Sequence, residues 1–304
     1  MTSTPDAALS AANFTAVAYG LRLEESWLKE LRAAAAAAGA VLLEERSTGN
    51  GRFDVHEIDV HLPEGPDALR RAVHGLPAGA GVAVVPSALR TAGRKFLILD
   101  VDSTLIQQEV IELLAAYAGK RDEVTAVTEA AMRGELDFAQ SLHARVKVLA
   151  GLPVSVIEGV RHEVLLTPGA AELVAGLKAA GHKVAAVSGG FSQILEPLAE
   201  ELGLDYALAN DLEIVDGKLS GRVLGDVVDR AAKESALRRW SAEQGVDLAH
   251  TVAVGDGAND LDMLAAAGLG IAFNAKPAVR AAADAAVDIP YLDVALAIAG
   301  VSAA

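Results

Sequence analysis

The chain has 304 residues, room for one large domain with a smaller companion or for two of middling size, and 52% of them are hydrophobic, enough for a substantial core. A formal net charge of −15 argues against nucleic acid or an anionic membrane as the main partner, leaving only local basic patches for small anions. Cysteine is absent, which excludes disulfides and thiolate metal sites and points to a reducing interior; aromatics are only 4%, so the core must be built from Ala, Val and Leu.

The opening stretch, "MTSTPDAALSAANF", lacks a basic region followed by an apolar run, so no secretion signal is expected. The longest charge-free apolar run there, Ala33 to Leu43, is too short to span a bilayer. A cytoplasmic protein is the expectation. "NFTAVAYGLRL" then reads as a strand, and "ESWLKELRAAAAAAG" as a helix closed by Gly39. "AVLLEERS" and "RFDVHEIDVHL" form a hairpin around "TGNG". "PDALRRAVHGL" gives a second helix and "GVAVVPSAL" a last strand. The order βαββαβ is ferredoxin-like. By pattern, residues 1–90 resemble an ACT-type regulatory or dimerisation module, and nothing in them looks catalytic. Such modules often pair through sheet edges or helices, so a homodimer is expected. "RTAGRK", residues 90–95, reads as a linker.

Residues 94–304 change to short apolar strands separated by helices, the pattern of a parallel α/β sheet. Three strands run into polar clusters: "FLILD" into "VDST", "KVAAV" into "SGGFS", and "TVAV" into "GDGAND". Open α/β sheets bind ligands outside the carboxyl ends of their strands, so three such clusters point to one site. Two acids close together, Asp100 and Asp102, repel unless a cation, a shared proton or phosphate chemistry holds them there. The helical stretch at about 107–165 is too long for a crossover and is expected to be an inserted cap. Residues 206–225 read as a small hairpin insertion turning at Asp216-Gly217. His143, His162, His182 and His250 show no metal-ligand spacing, and neither a Gly-x-Gly-x-x-Gly turn nor a P-loop is present.

"DVDST", "SGG", Lys233 and "GDGAND", in that order, resemble the haloacid-dehalogenase-type phosphohydrolases. "DVDSTLIQQE", "MRGELDF", "SLHARV" and "VSGGFS" narrow the resemblance to the phosphoserine phosphatase family. The resemblance implies a Rossmann-like parallel sheet with an inserted helical cap and a Mg²⁺-dependent hydrolysis of O-phospho-L-serine, the last step of serine synthesis. Asp100 would be the nucleophile that forms an aspartyl phosphate, and Asp102 the acid and then the base. Asp100 and Asp256 would offer Mg²⁺ side-chain oxygens, with the backbone carbonyl of Asp102 as a further ligand implied by the family. Ser188 and Gly189, at a helix N-terminus, would cradle phosphate, Lys233 would neutralise it, Asn259 would contact it, and Asp260 would orient the site from behind. Glu109 would meet the substrate ammonium and Arg145 its carboxylate, with Met132 and Phe138 as walls.

Other small phosphates, or transfer of the phosphoryl group to an alcohol, remain open as alternatives. So does a non-catalytic amino-acid sensor, which the full set of catalytic residues argues against. A dehalogenase has no use for the acid at Asp102, and a response-regulator receiver has no cap.

Overall fold

The computed structural model describes residues 13–132 and 135–301, without the side chains of Glu129, Ala131 and Met132. The N-terminal part runs β1 (Phe14–Gly20), α1 (Glu25–Ala37), β2 (Val41–Gly49), β3 (Asp54–His61), α2 (Asp67–Val73), β4 (Ala80–Pro86) and α3 (Ser87–Thr91). Its four strands form an antiparallel sheet in the order β2-β3-β1-β4, the ferredoxin-like arrangement. Alternation along β1 divides two cores. Ala16 and Ala18 pack with Leu28, Leu31, Ile58 and Leu69 under the helices. Val17 and Tyr19 face the other way, into one core with Leu97 and Leu99 of the following sheet.

That second sheet is built from β5 (Phe96–Leu99), β6 (Lys183–Phe191), β7 (Tyr206–Val215), β8 (Lys218–Leu224), β9 (Thr251–Gly255), β10 (Leu269–Phe273) and β11 (Ala285–Val287). The order is β11-β10-β9-β5-β6-β7-β8, parallel except between β7 and β8. After β5 the chain makes a tight turn over Val101–Leu105, with Asp102 extended and Ser103 left-handed. Then come α4 (Val110–Tyr117), α5 (Arg121–Met132), α6 (Phe138–Val148), α7 (Ser155–Glu163) and α8 (Ala170–Ala179) before β6. The remaining helices are α9 (Ser192–Leu202), α10 (Arg230–Glu243), α11 (Leu261–Ala266), α12 (Pro277–Ala282) and α13 (Val294–Ile298). The chain leaves β5 towards β6 on one side and later returns to β9 on the other. The crevice at the carboxyl end of β5 is therefore the topological switch point.

Helices α4 to α7 form the cap. Its entry and exit segments are zipped together: Gln107 N–H donates to Leu165 O (2.9 Å) and Thr167 N–H to Leu105 O (3.0 Å). Helix α6 rests on β8, and the loop after it joins the hairpin through Gly151 N–H to Leu219 O (2.8 Å) and Val154 N–H to Gly217 O (2.9 Å). Among the described residues no helix is long and apolar enough to cross a membrane.

The fold differs from the sequence reading in four local details. Strand β4 ends at Pro86 and a helix follows at once, so the expected linker begins inside α3. The first hairpin turns at Asn50–Phe53, beyond Gly49, because the Asn50 Oδ1 accepts from the Arg52 N–H (3.1 Å) and closes a side-chain turn. Residues 206–225 are no insertion, since β7 pairs with β6 through its first half and with β8 through its second. Helix α9 begins at Ser192, so Ser188 and Gly189 lie before it, within β6.

Tyr19 joins the two parts most directly. It is fully buried, its hydroxyl donates to Ala286 O (2.9 Å), and Gly81 is needed beside it because a Cβ there would lie 2.5 Å from the ring. Because the sheets share a core, Trp27 in the first part and Trp240 in the second are expected to report one coincident urea transition. Tyr19→Ala is expected to cost about 3–5 kcal/mol. An earlier, separate transition of Trp27 in the wild type would show that the parts unfold independently.

Candidate active site

Asp100 is the last residue to extend β5: its N–H donates to Val254 O of β9 (2.9 Å), and its carboxylate is buried at the switch point. The following turn is tight enough that Ser103 takes a positive φ of 60°. It brings Asp102 back to the same cavity, of about 510 Å³, that Asp100 lines. Glu109, Phe138, Arg145, Gly189, Asp256 and Asn259 line that cavity too. Ser188, Lys233 and Asp260 lie behind this surface and reach it through hydrogen bonds. Met132 lies outside the described side chains.

The two paired acids are held by different donors. Asp100 Oδ1 accepts from the Lys233 ammonium, which also donates to Asp260 Oδ1 (2.7 Å). Asp102 Oδ1 accepts from the Val110 N–H at the start of α4 (2.7 Å), and its Oδ2 accepts from the Ser188 hydroxyl (2.9 Å). Ser188 Oγ in turn accepts from the Gly190 N–H (2.7 Å). The glycines of "SGG" answer to close approach: a Cβ at Gly190 would meet Asp102 Oδ2 at 2.7 Å, and one at Gly189 would meet the Phe138 ring at 2.8 Å. Asp260 Oδ2 accepts from the Gly257 N–H (2.9 Å), folding the "GDGAND" loop over its own carboxylate.

The electrostatics follow from burial and crowding. Burial, then Asp260, pushes the Asp100 carboxyl well above the usual range against the pull of Lys233. Burial and Glu109 raise Asp102 to about 6, opposed by the Val110 N–H, Ser188 and Lys233. Burial, Asp260 and Glu109 raise Asp256 to about 6 as well, opposed by Lys233 and Lys276. Burial pushes the Lys233 ammonium down, but Asp100 and Asp260 outweigh it and keep it firmly charged.

Carboxylate oxygens of Asp100, Asp256 and Asp260 all lie within 4.8 Å of one another. Such an all-oxygen acidic set, with the Lys233 charge engaged on one side of it, is the donor chemistry of a hard divalent cation.

The cap side carries charges of both signs. Glu109 stands at the rim and accepts from the Ser103 hydroxyl (2.8 Å). Arg145, on α6, makes one hydrogen bond among the described residues, from its Nε to Ser141 O (3.3 Å), and feels the field of Glu109, Asp102 and Glu112. Burial lowers its pKa. Sequence reasoning missed Lys276, Ser141, Thr128 and Glu112 on the cavity wall, and Thr104, whose hydroxyl points to Asp256 Oδ1 (3.5 Å). For Lys276 a signal existed: "LGIAF" is a fourth apolar strand, and it runs into "NAKP".

A haloacid dehalogenase-like hydrolase profile matches residues 97–265. A phosphoserine phosphatase of Streptomyces coelicolor is 59% identical over 231 residues, 76% of this chain and 56% of that protein, so the chain spans little more than half of this curated relative. The crystal structure of a probable phosphoserine phosphatase from Vibrio cholerae, unliganded, superposes with a TM-score of 0.75 at 39% identity, covering 94% of this chain and 87% of that one. A structure described as a phospho-aspartyl intermediate analogue of phosphoserine phosphatase superposes with a TM-score of 0.64 at 44% identity, covering 67% and 98%.

The raised carboxyls predict a stability signature. Asp256 moves from 3.8 to about 6 on folding, so the folded protein binds extra protons in that window and loses stability as pH rises through it. In chelator at pH 8, Asp256→Asn is expected to be more stable than wild type by about 1–3 kcal/mol, an advantage that vanishes near pH 4. Thermal unfolding at the two pH values checks it. A variant less stable at pH 8 would mean that the carboxylate acts as an acceptor more than as a repelled charge.

Proposed function

We propose that this chain, which belongs to the haloacid dehalogenase-like hydrolase family, hydrolyses O-phospho-L-serine to serine and phosphate, completing serine synthesis. The observation that supports this most is the pairing in one cavity of an acid floor with a cap wall carrying both charges, Glu109 and Arg145. A phosphate ester alone needs only the floor. An amino acid attached to it offers an ammonium for Glu109 and a carboxylate for the Arg145 fork.

In the first step an oxygen of Asp100 attacks phosphorus and the bond to the serine oxygen breaks. Lys233 holds the other Asp100 oxygen, which aims the free one outward. Asp102, with its pKa near 6, holds a proton often enough to give it to the leaving alkoxide. In the second step the Asp102 carboxylate takes a proton from water, which attacks the aspartyl phosphate and frees phosphate and Asp100. Ser188 keeps the carboxylate of Asp102 in place through both. Mg²⁺ would be held by Asp100 and Asp256, with the Asp102 carbonyl as a further ligand, and would neutralise the charge of the phosphate and the acids. Phe138 walls the cavity and limits water.

Chelation is expected to abolish phosphate release and Mg²⁺ to restore it, with Ca²⁺ a poor substitute because its looser coordination disturbs in-line geometry. Full turnover after exhaustive chelation would end the metal reading. Asp100→Asn is expected to leave no phosphoenzyme, whereas Asp102→Asn slows turnover and lets acyl phosphate accumulate with a good leaving group.

The substrate assignment rests on the cap wall. Loss of one charged hydrogen bond of about 1.5–3 kcal/mol lowers kcat/KM about tenfold to a hundredfold. Glu109→Gln and Arg145→Ala are expected to do this for phosphoserine and to leave p-nitrophenyl phosphate, which has neither group, nearly unchanged. Parallel loss on both substrates would assign the two residues to the fold or the cap and remove the case for phosphoserine.

A further inference from the structure

We propose that Asn210 is a positioning residue that sets the shape of the active-site floor from outside the cavity. The proposal rests on the phosphatase reading above and adds a residue to it. Asn210 is on β7, is 2% exposed, and does not line the cavity.

Its role follows from the ladder between β6 and β7. Val187 pairs with Leu208, but the next pair is Phe191 with Asn210. Strand β6 therefore spends four residues where β7 spends two, and Ser188, Gly189 and Gly190 bulge out of the sheet. The bulge delivers the Ser188 hydroxyl to Asp102 (2.9 Å). It also removes the Gly189 carbonyl from the ladder, and an unpaired carbonyl here would cost the bulge its stability. The Asn210 side chain takes that place, its Nδ2 donating to Gly189 O at 2.9 Å. The other half of the amide is used as well: Oδ1 accepts from the Val228 N–H at 2.8 Å. Val228 immediately precedes Asp229, which caps α10 and whose carbonyl receives the Lys233 N–H.

One buried amide thus ties the segment that holds Asp102 to the entry of the helix that holds Asp100. Both functions of the amide are needed at once. Aspartate keeps the acceptor for Val228 but sets a carboxylate oxygen against the Gly189 carbonyl, and leucine satisfies neither neighbour.

The test is a double-mutant cycle with p-nitrophenyl phosphate as substrate, supported by amide hydrogen exchange. Asn210→Asp is expected to lower kcat by about ten- to a hundredfold, with KM changed by less than about threefold. In a Ser188→Ala background the same change is expected to cost only about threefold or less, because its route to Asp102 is gone. The Gly190 amide, which does not touch Asn210, is expected to exchange faster in Asn210→Asp while Val228 stays protected, and both are expected to speed up in Asn210→Leu. Val60→Ala, a core change in the N-terminal sheet, serves as a control that lowers Tm without lowering kcat. Additive losses in the cycle, or an unchanged Gly190 amide, would overturn the proposal. Wild-type activity on p-nitrophenyl phosphate but none on phosphoserine would instead refute the substrate reading, and the cycle would still decide the role of Asn210. Were the wild type inactive on both, the exchange of Gly190 decides it alone.

Discussion

A lysine ammonium with no exposed surface lies between two buried carboxylates, and the geometry of the cavity floor depends on it. Lys233 comes from α10, Asp100 from the end of β5, and Asp260 from the loop after β9. A charge taken out of water must be paired and hydrogen-bonded, or its burial is prohibitive. Here the requirement works in both directions. The ammonium needs both acids, and without it Asp100 and Asp260 would face each other across a site already crowded with negative charge. Breaking such a group by removing one member typically costs about 3–5 kcal/mol, more than most single contacts. The chain cannot place α10 elsewhere without leaving these charges unpaired, so the triad fixes one helix against two strand ends. Its ammonium engages Asp100 through Oδ1, and Asp100 lines the cavity as well, which links a folding constraint to a chemical one.

The second acid is governed by other partners, and that difference separates two groups of the same chemical type. Asp102 is held by the first N–H of a cap helix and by a hydroxyl on the sheet. It therefore sits at the joint between cap and body, and its proton affinity responds to Glu109 at the cap rim more than to Lys233. The cap is not an independent lid. Its entry and exit segments are paired with each other, and α6 is hydrogen-bonded through its following loop to the β7–β8 hairpin. Arg145, on α6, is consequently referenced to the same sheet that carries the carboxylates. Distance between the cap wall and the floor is then set by backbone pairing rather than by side-chain packing alone.

The N-terminal sheet meets the body far from this chemistry. Its inward face shares a core with β5, α8 and α13, and Arg52 reaches across to Asp293 (2.6 Å) and Glu172 (3.0 Å). Among the described residues none from this part lines the acidic cavity at the end of β5. Tyr19 ties the two parts together, since its hydroxyl ends on a carbonyl of β11 while its ring fills the notch left by Gly81.

Much of this was legible in the residues themselves. Runs of strand-forming residues bounded by turn signals mark β1 and β3, apolar runs mark the parallel strands, and the polar clusters after "FLIL", "KVAAV" and "TVAV" mark the crevice, because these signals depend only on near neighbours in the chain. Residue type and position at strand ends also marked the acids, while Glu109, Arg145 and Lys233 were named by the resemblance to the phosphoserine phosphatases. Their partners were not legible. Lys233 reads as a helical cation facing a phosphate, yet its ammonium is enclosed by Asp100, 133 residues away, and Asp260, 27 away. "SGG" reads as the start of a helix, yet it is a bulge whose carbonyl needs Asn210, a residue with no sequence signal at all. Residues 206–225 read as an appendage, yet they complete the sheet. The sequence by itself determined which chemical groups are present and which strand ends carry them, since covalent order and periodicity decide that. Tertiary structure alone decided which donor each buried carboxylate receives, because the cost of an unpaired charge or carbonyl is settled by groups that come within 3 Å only after the sheet has closed.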